Sequence, residues 1–349
     1  MNNSTVLFKH YEESTPVPYA FKAALLAIIA LVALVSIIGN ILVIITFVKT
    51  QSLRTSTNYY ITSMAVSDLL FVATNLPLYI SSRLSVFGHS VTSFHCKIGV
   101  YLNVVSYSVS IANLVLITVD RFIAIVHPMK VIMITRRVRS VFISLTWVLP
   151  MGFYAPIIYI STTTDEVFLC GSENWGFILT IYIIIGFVLL YCAPLIVIII
   201  LNTRIMTSLK RTNPAIQGIG HSNVRRKQNQ RIMKMLLLIT ITFVGCWTLF
   251  HTTMFLHILS QNVLKRSVRE MVHISCYYFL PFVSSAVSPL ILFTFSTIYR
   301  QGLKNCLCLA VSKCRSCIFR EEVVREENVE LPELHAVTFH EKAWHSAHN

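Results

Sequence analysis

The chain has 349 residues, of which 55% are hydrophobic and only 13% are charged. A water-soluble domain carries about 25% charged residues, so this composition is typical of a protein that lies in a lipid bilayer. It excludes a disordered chain and a collagen-like repeat, since the hydrophobic content is high and Gly and Pro number 11 each. The net charge of +14 does not indicate nucleic-acid binding, because the basic residues form short clusters between long apolar runs.

A helix needs about 20 mainly apolar residues to cross a bilayer core of about 30 Å. Seven stretches reach this length: 21–48, 59–84, 96–126, 138–160, 175–201, 232–259 and 271–295. The sequence therefore predicts an all-α membrane protein, a bundle of seven transmembrane helices over 21–295. An outer segment (1–20) would precede the bundle. An amphipathic juxtamembrane helix (296–308) and a disordered cytoplasmic tail (309–349) would follow it.

The distribution of Lys and Arg predicts the orientation, because short cytoplasmic loops are enriched in these residues. Fourteen of them lie in the three loops on one side, and seven lie on the side of the N-terminal segment. The N-terminus is therefore expected outside the plasma membrane and the C-terminus inside. Acids follow the opposite pattern, since Asp165, Glu166 and Glu173 all lie in the second outer loop.

Two cysteines out of nine, Cys96 and Cys170, reach the predicted outer side. In an oxidising compartment they are expected to form a disulfide that fixes the second outer loop over the bundle, although two unrelated thiols are the alternative. Asn2 and Asn3 begin two overlapping Asn-x-Ser/Thr sequons in the outer segment and are candidate glycosylation sites.

Two acids, Asp68 and Asp120, lie within the predicted spans, where an unpaired carboxylate costs several kcal/mol. Asp68 is expected at the depth of Asn40 and Ser110. Oxygen ligands of this kind suit Na⁺, and a structural hydrogen-bond cluster is the alternative reading. Ser284 and Ser288 of the seventh span are further members of this predicted polar core.

Short motifs occur in order along the spans: Gly39-Asn40-x-x-Val43, Ala65-x-x-Asp68-Leu69, Asp120-Arg121-Phe122, Trp147, Pro194, Phe243-x-x-Cys246-Trp247 and Pro289. With these motifs the chain resembles a rhodopsin-like (class A) G-protein-coupled receptor over residues 20–308, of the neuropeptide-receptor type. The resemblance implies a heterotrimeric G protein as partner, with arrestin and receptor kinases as further candidates. It implies no enzyme activity and no cofactor other than Na⁺ as an allosteric ion.

The resemblance assigns the intracellular switch to Asp120, Arg121 and Phe122, coupled to Phe243, Trp247 and Pro289. The segment Pro128–Met129 would place a hydrophobic side chain in a groove of the G protein. A basic rim would surround it, which could instead bind only anionic lipid. This rim consists of Lys210, Arg211, Arg231 and Lys234.

Several positions depart from the family pattern. Leu249 replaces a proline that usually kinks the sixth helix, and Ser288 and Leu292 replace the asparagine and tyrosine of the seventh. Asn202 replaces a common tyrosine, and Asn229 offers no acid opposite Arg121. We therefore hypothesise a switch with a shallow bias between its states, and an atypical or decoy receptor is the alternative.

The ligand is constrained by two absences. The seventh span has no lysine, since Phe282 occupies the matching position, so no retinal Schiff base can form. Asn103 stands where monoamine receptors place an aspartate. The resemblance implies a pocket of neutral polar and aromatic residues, for which ordinary helix packing is the alternative role: Tyr79, Asn103, Tyr107, Phe250, His251, Tyr278 and Phe282.

Above this pocket the acids of the second outer loop would attract a basic ligand. A basic or amidated neuropeptide is therefore expected, with a lipid or another small molecule as the alternative. A transporter is disfavoured, because the chain has no internal repeat and only one acid at the midplane.

The juxtamembrane segment ends in Cys306 and Cys308, which are candidate palmitoylation sites. A zinc site with Cys314 and Cys317 is the alternative, but two ligands only one residue apart fit the usual spacing poorly.

Overall fold

The structure is a computed structural model, and it describes residues 19–84, 89–133, 135–160, 162–163, 170–171, 177–211, 221–259, 276 and 279–310. Within these ranges it describes the backbone but not the side chains of residues 19, 22, 78, 81–84, 89–96, 131–133, 160, 162–163, 170–171, 210–211, 221–228, 256–259 and 306–310.

The described chain is almost entirely helical. Four long or medium helices come first: α1 (Tyr19–Lys49), α2 (Ser56–Leu84), α3 (His89–Val126) and α4 (Arg136–Tyr154). The short α5 (Ile157–Ile160) leads to two antiparallel strands, β1 (Thr162–Thr163) and β2 (Cys170–Gly171). The remaining helices are α6 (Phe177–Phe187), α7 (Ala193–Arg211), α8 (His221–Leu259), α9 (Leu280–Phe295) and α10 (Thr297–Ala310).

Each predicted span overlaps at least one of these helices, although residues 271–275 and 277–278 of the seventh span lie outside the described residues. A π-helical turn over Val188–Cys192 joins α6 and α7 into the fifth span. The largest difference is at the start of the sixth span, where α8 begins at His221 and the prediction was residue 232. A second difference is at the fourth span, which was predicted to run to residue 160. There α4 ends at Tyr154 and α5 begins after Pro156, because proline has no N–H to continue the backbone ladder.

Four helical segments of the described chain are long and apolar enough to cross a membrane by themselves, namely Ala23–Lys49, Lys97–Val126, Phe177–Leu209 and Asn229–Phe255. The other three predicted spans are more polar or shorter: α4 opens with Arg136, Arg137 and Arg139, and α9 has 16 residues. These helices cross by packing against their neighbours, which satisfy their polar side chains.

The packing is centred on α3, which contacts α2, α4 and α7, while α9 lies between α1 and α8. Many large apolar side chains point outward, as Leu31, Val148 and Ile199 do, whereas Ser36, Asn40 and Asn113 are buried. Such an inverted distribution stabilises a bundle in lipid, since no hydrophobic force brings the helices together there.

Two glycines allow close helix contacts. A Cβ placed on Gly39 of α1 would lie 2.6 Å from Cγ of Pro289 in α9. A Cβ on Gly186 of α6 would lie 3.1 Å from Cε1 of Phe153 and 3.3 Å from the hydroxyl oxygen of Tyr154. The α4–α6 contact is strengthened by Tyr182, whose ring stacks on Phe153 and whose hydroxyl donates to the Phe153 carbonyl at 2.5 Å.

The chain divides into two compact units, Met1–Arg300 and Gln301–Asn349. The helix α10 covers the predicted juxtamembrane segment, and its placement on a membrane surface stays a prediction. In its first turn Tyr299 is buried against the edge of Phe293, and this burial raises the pKa of the Tyr299 phenol.

Candidate functional site: a bundle core in three layers

The layer at the end of the bundle that is predicted to face the cytoplasm, here named the inner layer, is a clamp of three residues, Thr57, Asp120 and Arg121. The Thr57 hydroxyl donates to Oδ2 of Asp120 at 2.5 Å, and Nη2 of Arg121 donates to the same oxygen at 2.7 Å and to Oγ1 of Thr57 at 2.6 Å. Thr57 and Asp120 are both buried. Charge-assisted hydrogen bonds of this kind are about twice as strong as neutral ones, so they hold the guanidinium inside the bundle. The clamp joins the first turn of α2 to the last two turns of α3.

A second arginine joins the inner ends of α4 and α2. Nη1 of Arg139 donates to the Ser56 hydroxyl at 3.3 Å, and its guanidinium lies 4.0 Å from the centre of the Tyr59 ring. The other side of this contact is Phe47 of α1, whose ring meets the edge of Tyr59. These contacts fix the first turn of α2, which carries Thr57.

Other predicted coupling residues lie on α3, on the turn that follows it and on α8. Phe122 packs edge-on against His127, and Met129 is 85% exposed on the turn that follows α3. This exposure leaves Met129 accessible to a partner. Among the predicted basic rim, Arg231 and Lys234 are exposed on α8, while the side chains of Lys210 and Arg211 lie outside the described part.

The middle layer is a small cavity of about 10 Å³, which has room for roughly one water-sized occupant and is lined by both polar and aromatic side chains. Asp68, Ser110 and Ser284 line it. The Ser110 hydroxyl is 3.4 Å from Oδ1 of Asp68 and 2.8 Å from the Ser67 hydroxyl, while Oδ2 of Asp68 has no hydrogen-bond partner. A buried carboxylate oxygen without a partner is costly, so the donor set fits a small hard cation.

The remaining two predicted members of this layer bond elsewhere. Nδ2 of Asn40 donates to the carbonyl oxygens of Ser36 and Ser285 at 2.9 and 3.2 Å, and so joins α1 to α9. The Ser288 hydroxyl donates to the Ser284 carbonyl of its own helix at 3.2 Å. The sequence grouped all of them around Asp68, but the structure separates a cation-like site from a helix-joining cluster.

The outer layer is a box of aromatic rings. The Trp247 ring lies 4.8 Å from Tyr107 and 5.1 Å from Phe250, measured between ring centres. His251 stacks on Tyr191 at 4.6 Å and contacts Tyr107 at 5.4 Å. Phe243 lies one turn below Trp247 on α8, at 5.8 Å. Trp247 and Tyr107 therefore belong to the aromatic box and also line the cavity that contains Asp68.

Hydrogen bonds fix two of these rings. Nδ1 of His251 lies 2.7 Å from the Trp247 carbonyl oxygen, so Nδ1 carries the proton and Nε2 is an acceptor. The Tyr191 hydroxyl is 2.7 Å from Oγ1 of Thr248. Tyr191 belongs to the π-helical turn, and the extra residue of a π turn changes which side chains face inward.

An amide pair closes the box toward α2. Nδ2 of Asn103 donates to Oδ1 of Asn75 at 3.1 Å, and Nδ2 of Asn75 donates to the Phe71 carbonyl at 2.9 Å. Oδ1 of Asn103 is buried and has no hydrogen-bond partner. Tyr79 and Phe282 are also buried, and Phe282 packs on Phe71. The pair therefore leaves the side-chain carbonyl oxygen of Asn103 without a donor.

Several predicted site residues fall outside the described residues or side chains. These are Asp165, Glu166, Glu173 and Tyr278, the sequon residues Asn2 and Asn3, and the side chains of Cys306 and Cys308. The side chains of Cys96 and Cys170 are also not described, so their disulfide stays a prediction. The strand that contains Cys170 packs against α3, the helix that contains Cys96. Among described residues no group of three or more His, Cys, Asp or Glu side chains could hold a metal.

The departures from the family pattern have visible effects. The sixth span is one continuous helix through Leu249, which is half exposed to the lipid side. Leu292 is buried in the apolar core, where it offers no hydroxyl. Pro289 lies inside α9 and is buried against α1.

Sequence reasoning missed Thr57, Asn75, Tyr154 and Tyr191. Each contributes through a partner on another helix, and none belongs to a motif or carries a charge. Thr57 had one available signal, since it opens the second helix at the depth of the Asp120 carboxylate.

The described helices, with a polar cavity at mid-depth and a clamped arginine at one end, define a class of membrane receptor. The family model of the 7 transmembrane receptor (rhodopsin family) matches residues 39–292, so the chain belongs to this family and is a multi-pass membrane protein with a seven-helix bundle. The predicted fold is thereby confirmed. Receptors of this family signal and are not an enzyme class.

Three of the similar proteins are receptors whose names give a ligand. The substance-K receptor of Mus musculus is 29% identical over 277 residues, which cover 76% of this chain and 70% of the relative. The neuromedin-U receptor 2 of Rattus norvegicus is 27% identical over 322 residues, which cover 87% of this chain and 80% of the relative. The QRFP-like peptide receptor of Branchiostoma floridae is 25% identical over 287 residues, with 79% and 75% covered.

Proposed function

We propose that this receptor binds an extracellular peptide, basic or amidated at its C-terminus, and activates a heterotrimeric G protein. The similar receptors carry the names substance-K, neuromedin-U and QRFP-like peptide, which supports a peptide ligand. The excess of Lys and Arg on one side supports a plasma-membrane orientation with the N-terminus outside.

The observation that carries the proposal is the amide acceptor of Asn103. It is buried one helical turn from Tyr107 on α3 and lacks a donor, so a ligand N–H would relieve its desolvation cost. A terminal carboxamide or a backbone amide supplies such a donor without a charge. An aliphatic lipid tail would fill the same space but would leave the acceptor unpaired.

At the inner face, the clamp on Arg121 supports coupling to a G protein. Because Asp120 and Thr57 occupy Nη2 of Arg121, opening of the clamp would free this nitrogen for a partner. The exposed side chain of Met129 and the basic Arg231 and Lys234 offer the surrounding contact surface. Arrestin and receptor kinases would use the same opened face.

Na⁺ is proposed as an allosteric ion at Asp68. The unpartnered Oδ2 of Asp68, with the Ser110 and Ser284 hydroxyls along the same cavity, supplies oxygen ligands for a small cation.

The test is a screen of amidated peptides, each paired with its free-acid form, on cells that express the chain. G-protein activation, calcium, cAMP and arrestin recruitment are read together. We expect amidated members to bind at least tenfold tighter than their free-acid forms, and Asn103→Leu to remove this preference. A hit whose free-acid form binds equally well in the wild-type receptor would contradict the assignment of Asn103.

Arg121→Ala separates binding from transduction. We expect a peptide hit to keep its affinity within twofold and to lose more than nine-tenths of its G-protein response.

The alternative of a decoy receptor is favoured by the apolar Leu292 in place of the family's tyrosine. A decoy would bind a peptide and leave every heterotrimer inactive in the wild-type protein.

A further inference from the structure

Two buried tyrosine hydroxyls meet where the aromatic box touches α4. The hydroxyl oxygens of Tyr107 and Tyr154 are 2.8 Å apart, and both side chains are at most 5% exposed. Bulk water does not reach either hydroxyl at this depth, so the two hydroxyls satisfy each other, with the Ser108 hydroxyl as a further neighbour of both. Tyr154 is the last residue of α4 and lies outside every motif of the sequence.

The pair joins two separate apolar clusters. Tyr154 packs with Val105 and Val109 in a small cluster on one side of α3. Tyr107 belongs to the main core together with Trp247. The two clusters are thus connected by a directional hydrogen bond in addition to packing, and a directional bond fixes the orientation of a ring that packing alone would leave adjustable.

The ring fixed in this way is the one that supports Trp247. Tyr107 lies 4.8 Å from Trp247 and 5.4 Å from His251, both on α8, and it lines the cavity that contains Asp68. If the Tyr107 ring rotated, Trp247 would gain space, and α8 could shift relative to α3. The described geometry, with Arg121 clamped, is the state in which this rotation has not occurred.

The site around Tyr154 is shaped to hold its hydroxyl. Gly186 of α6 leaves room there, since a Cβ at this position would lie 3.3 Å from the Tyr154 oxygen. The Phe153 ring meets the Tyr154 ring edge-on, with centres 5.1 Å apart. The Tyr154 side chain therefore has little freedom to follow Tyr107 if that ring moves.

We propose that Tyr154 is a positioning residue for the receptor switch: its hydroxyl holds the Tyr107 ring against Trp247 and thereby favours the resting arrangement of α8. This inference rests on the proposed function and deepens it. Tyr154 needs no contact with the ligand. A ligand that displaces Tyr107 would have to break the hydrogen bond, so the bond sets part of the threshold for activation.

The experiment compares Tyr154→Phe, Tyr107→Phe and the double variant, purified in lipid nanodiscs without ligand. Nucleotide exchange on G-protein heterotrimers is measured per folded receptor, and the melting temperature is recorded for each sample. We expect either single variant to raise ligand-free exchange about fivefold, which corresponds to about 1 kcal/mol, the net value of one buried hydrogen bond. Because one bond is lost in each case, the double variant should equal the single ones.

Tyr182→Phe is the matched control. It removes a hydrogen bond to the Phe153 carbonyl in the same α4–α6 contact, but it leaves the Tyr107 hydroxyl untouched. We expect its melting temperature to fall and its exchange rate to stay at the wild-type value. If Tyr154→Phe behaves like Tyr182→Phe, or if the Tyr154 and Tyr107 effects add, the proposal is wrong.

A second measurement works without a G protein. The chain has 4 Trp, so 5-fluorotryptophan gives four ¹⁹F NMR signals, and Trp247→Phe identifies the one from Trp247. Tyr154→Phe should add a second Trp247 signal that is absent in the wild type and in Tyr182→Phe. If the wild-type protein activates no heterotrimer, the proposed function fails, and the ¹⁹F spectrum alone decides whether Tyr154 positions Tyr107. An unchanged Trp247 signal would overturn the inference.

Discussion

The outer and inner halves of the bundle are held by different forces. Around Trp247 the outer half contains stacked and edge-on rings with a few neutral hydrogen bonds. Around Arg121 the inner half depends on one buried carboxylate and its donors. Ring contacts are weakly directional and adapt to a new neighbour, whereas a buried ion pair is either made or broken. The outer half is therefore suited to accept a ligand of variable shape, and the inner half to act as a two-state switch.

The largest effect is expected from breaking the inner clamp. Thr57→Val keeps the shape of the side chain but removes the hydroxyl that bridges Asp120 and Arg121, and it should raise ligand-free nucleotide exchange about fivefold to tenfold. Thr46→Val is the control, because the buried Thr46 hydroxyl has no hydrogen-bond partner and its removal should change exchange by less than twofold. Equal responses of the two variants would show that the clamp does not restrain the switch.

The middle layer should respond to salt. If Na⁺ binds at Asp68, replacing choline by sodium should lower ligand-free exchange about threefold, and Asp68→Asn should abolish this difference because the amide removes the charge. Ser288→Ala should keep the sodium effect, since the Ser288 hydroxyl bonds within its own helix. A sodium effect that survives in Asp68→Asn would place the ion elsewhere.

A smaller effect is expected from restoring the family's tyrosines. Asn202→Tyr combined with Leu292→Tyr should change agonist-driven output by more than twofold, because two hydroxyls become available near Arg121. Leu292 is only 2% exposed, so added volume is a concern, and Leu292→Phe supplies the same ring without the hydroxyl. If Leu292→Phe changes the agonist-driven response as much as Leu292→Tyr does, the hydroxyl has no effect and the hypothesis of a shallow bias is wrong.

The smallest effect on signalling is expected at the α1–α9 contact. Gly39→Ala forces a Cβ to 2.6 Å from Pro289, which should cost about 1–3 kcal/mol and lower the melting temperature by about 3–8 °C. Gly245→Ala is the control, because its Cβ would have no neighbour within 4 Å. Exchange per folded receptor should stay within twofold in both variants. A marked gain in exchange for Gly39→Ala would make this contact part of the switch.

Much of the bundle could be predicted because each span can be recognised from its own residues alone. A run of apolar residues needs no knowledge of its neighbours to be recognised, and the acids Asp68 and Asp120 are conspicuous wherever they lie in such a run. The helix ends were less predictable, as the early end of α4 before Pro156 illustrates. Asn40 and Ser288 were grouped with Asp68 only because all three were expected at the same depth in the membrane. Depth does not determine toward which neighbouring helix a side chain points.

The sequence by itself determined that this chain crosses a membrane as a helical bundle, because the bilayer penalises charge and demands helices of a given length. Only the tertiary structure decided which polar groups pair. Asn103 meets Asn75 across 28 residues, Tyr107 meets Tyr154 across 47, and Ser36 meets Ser285 across 249. Such partners are chosen by how helices rotate and pack against one another, and that choice depends on all the helices together.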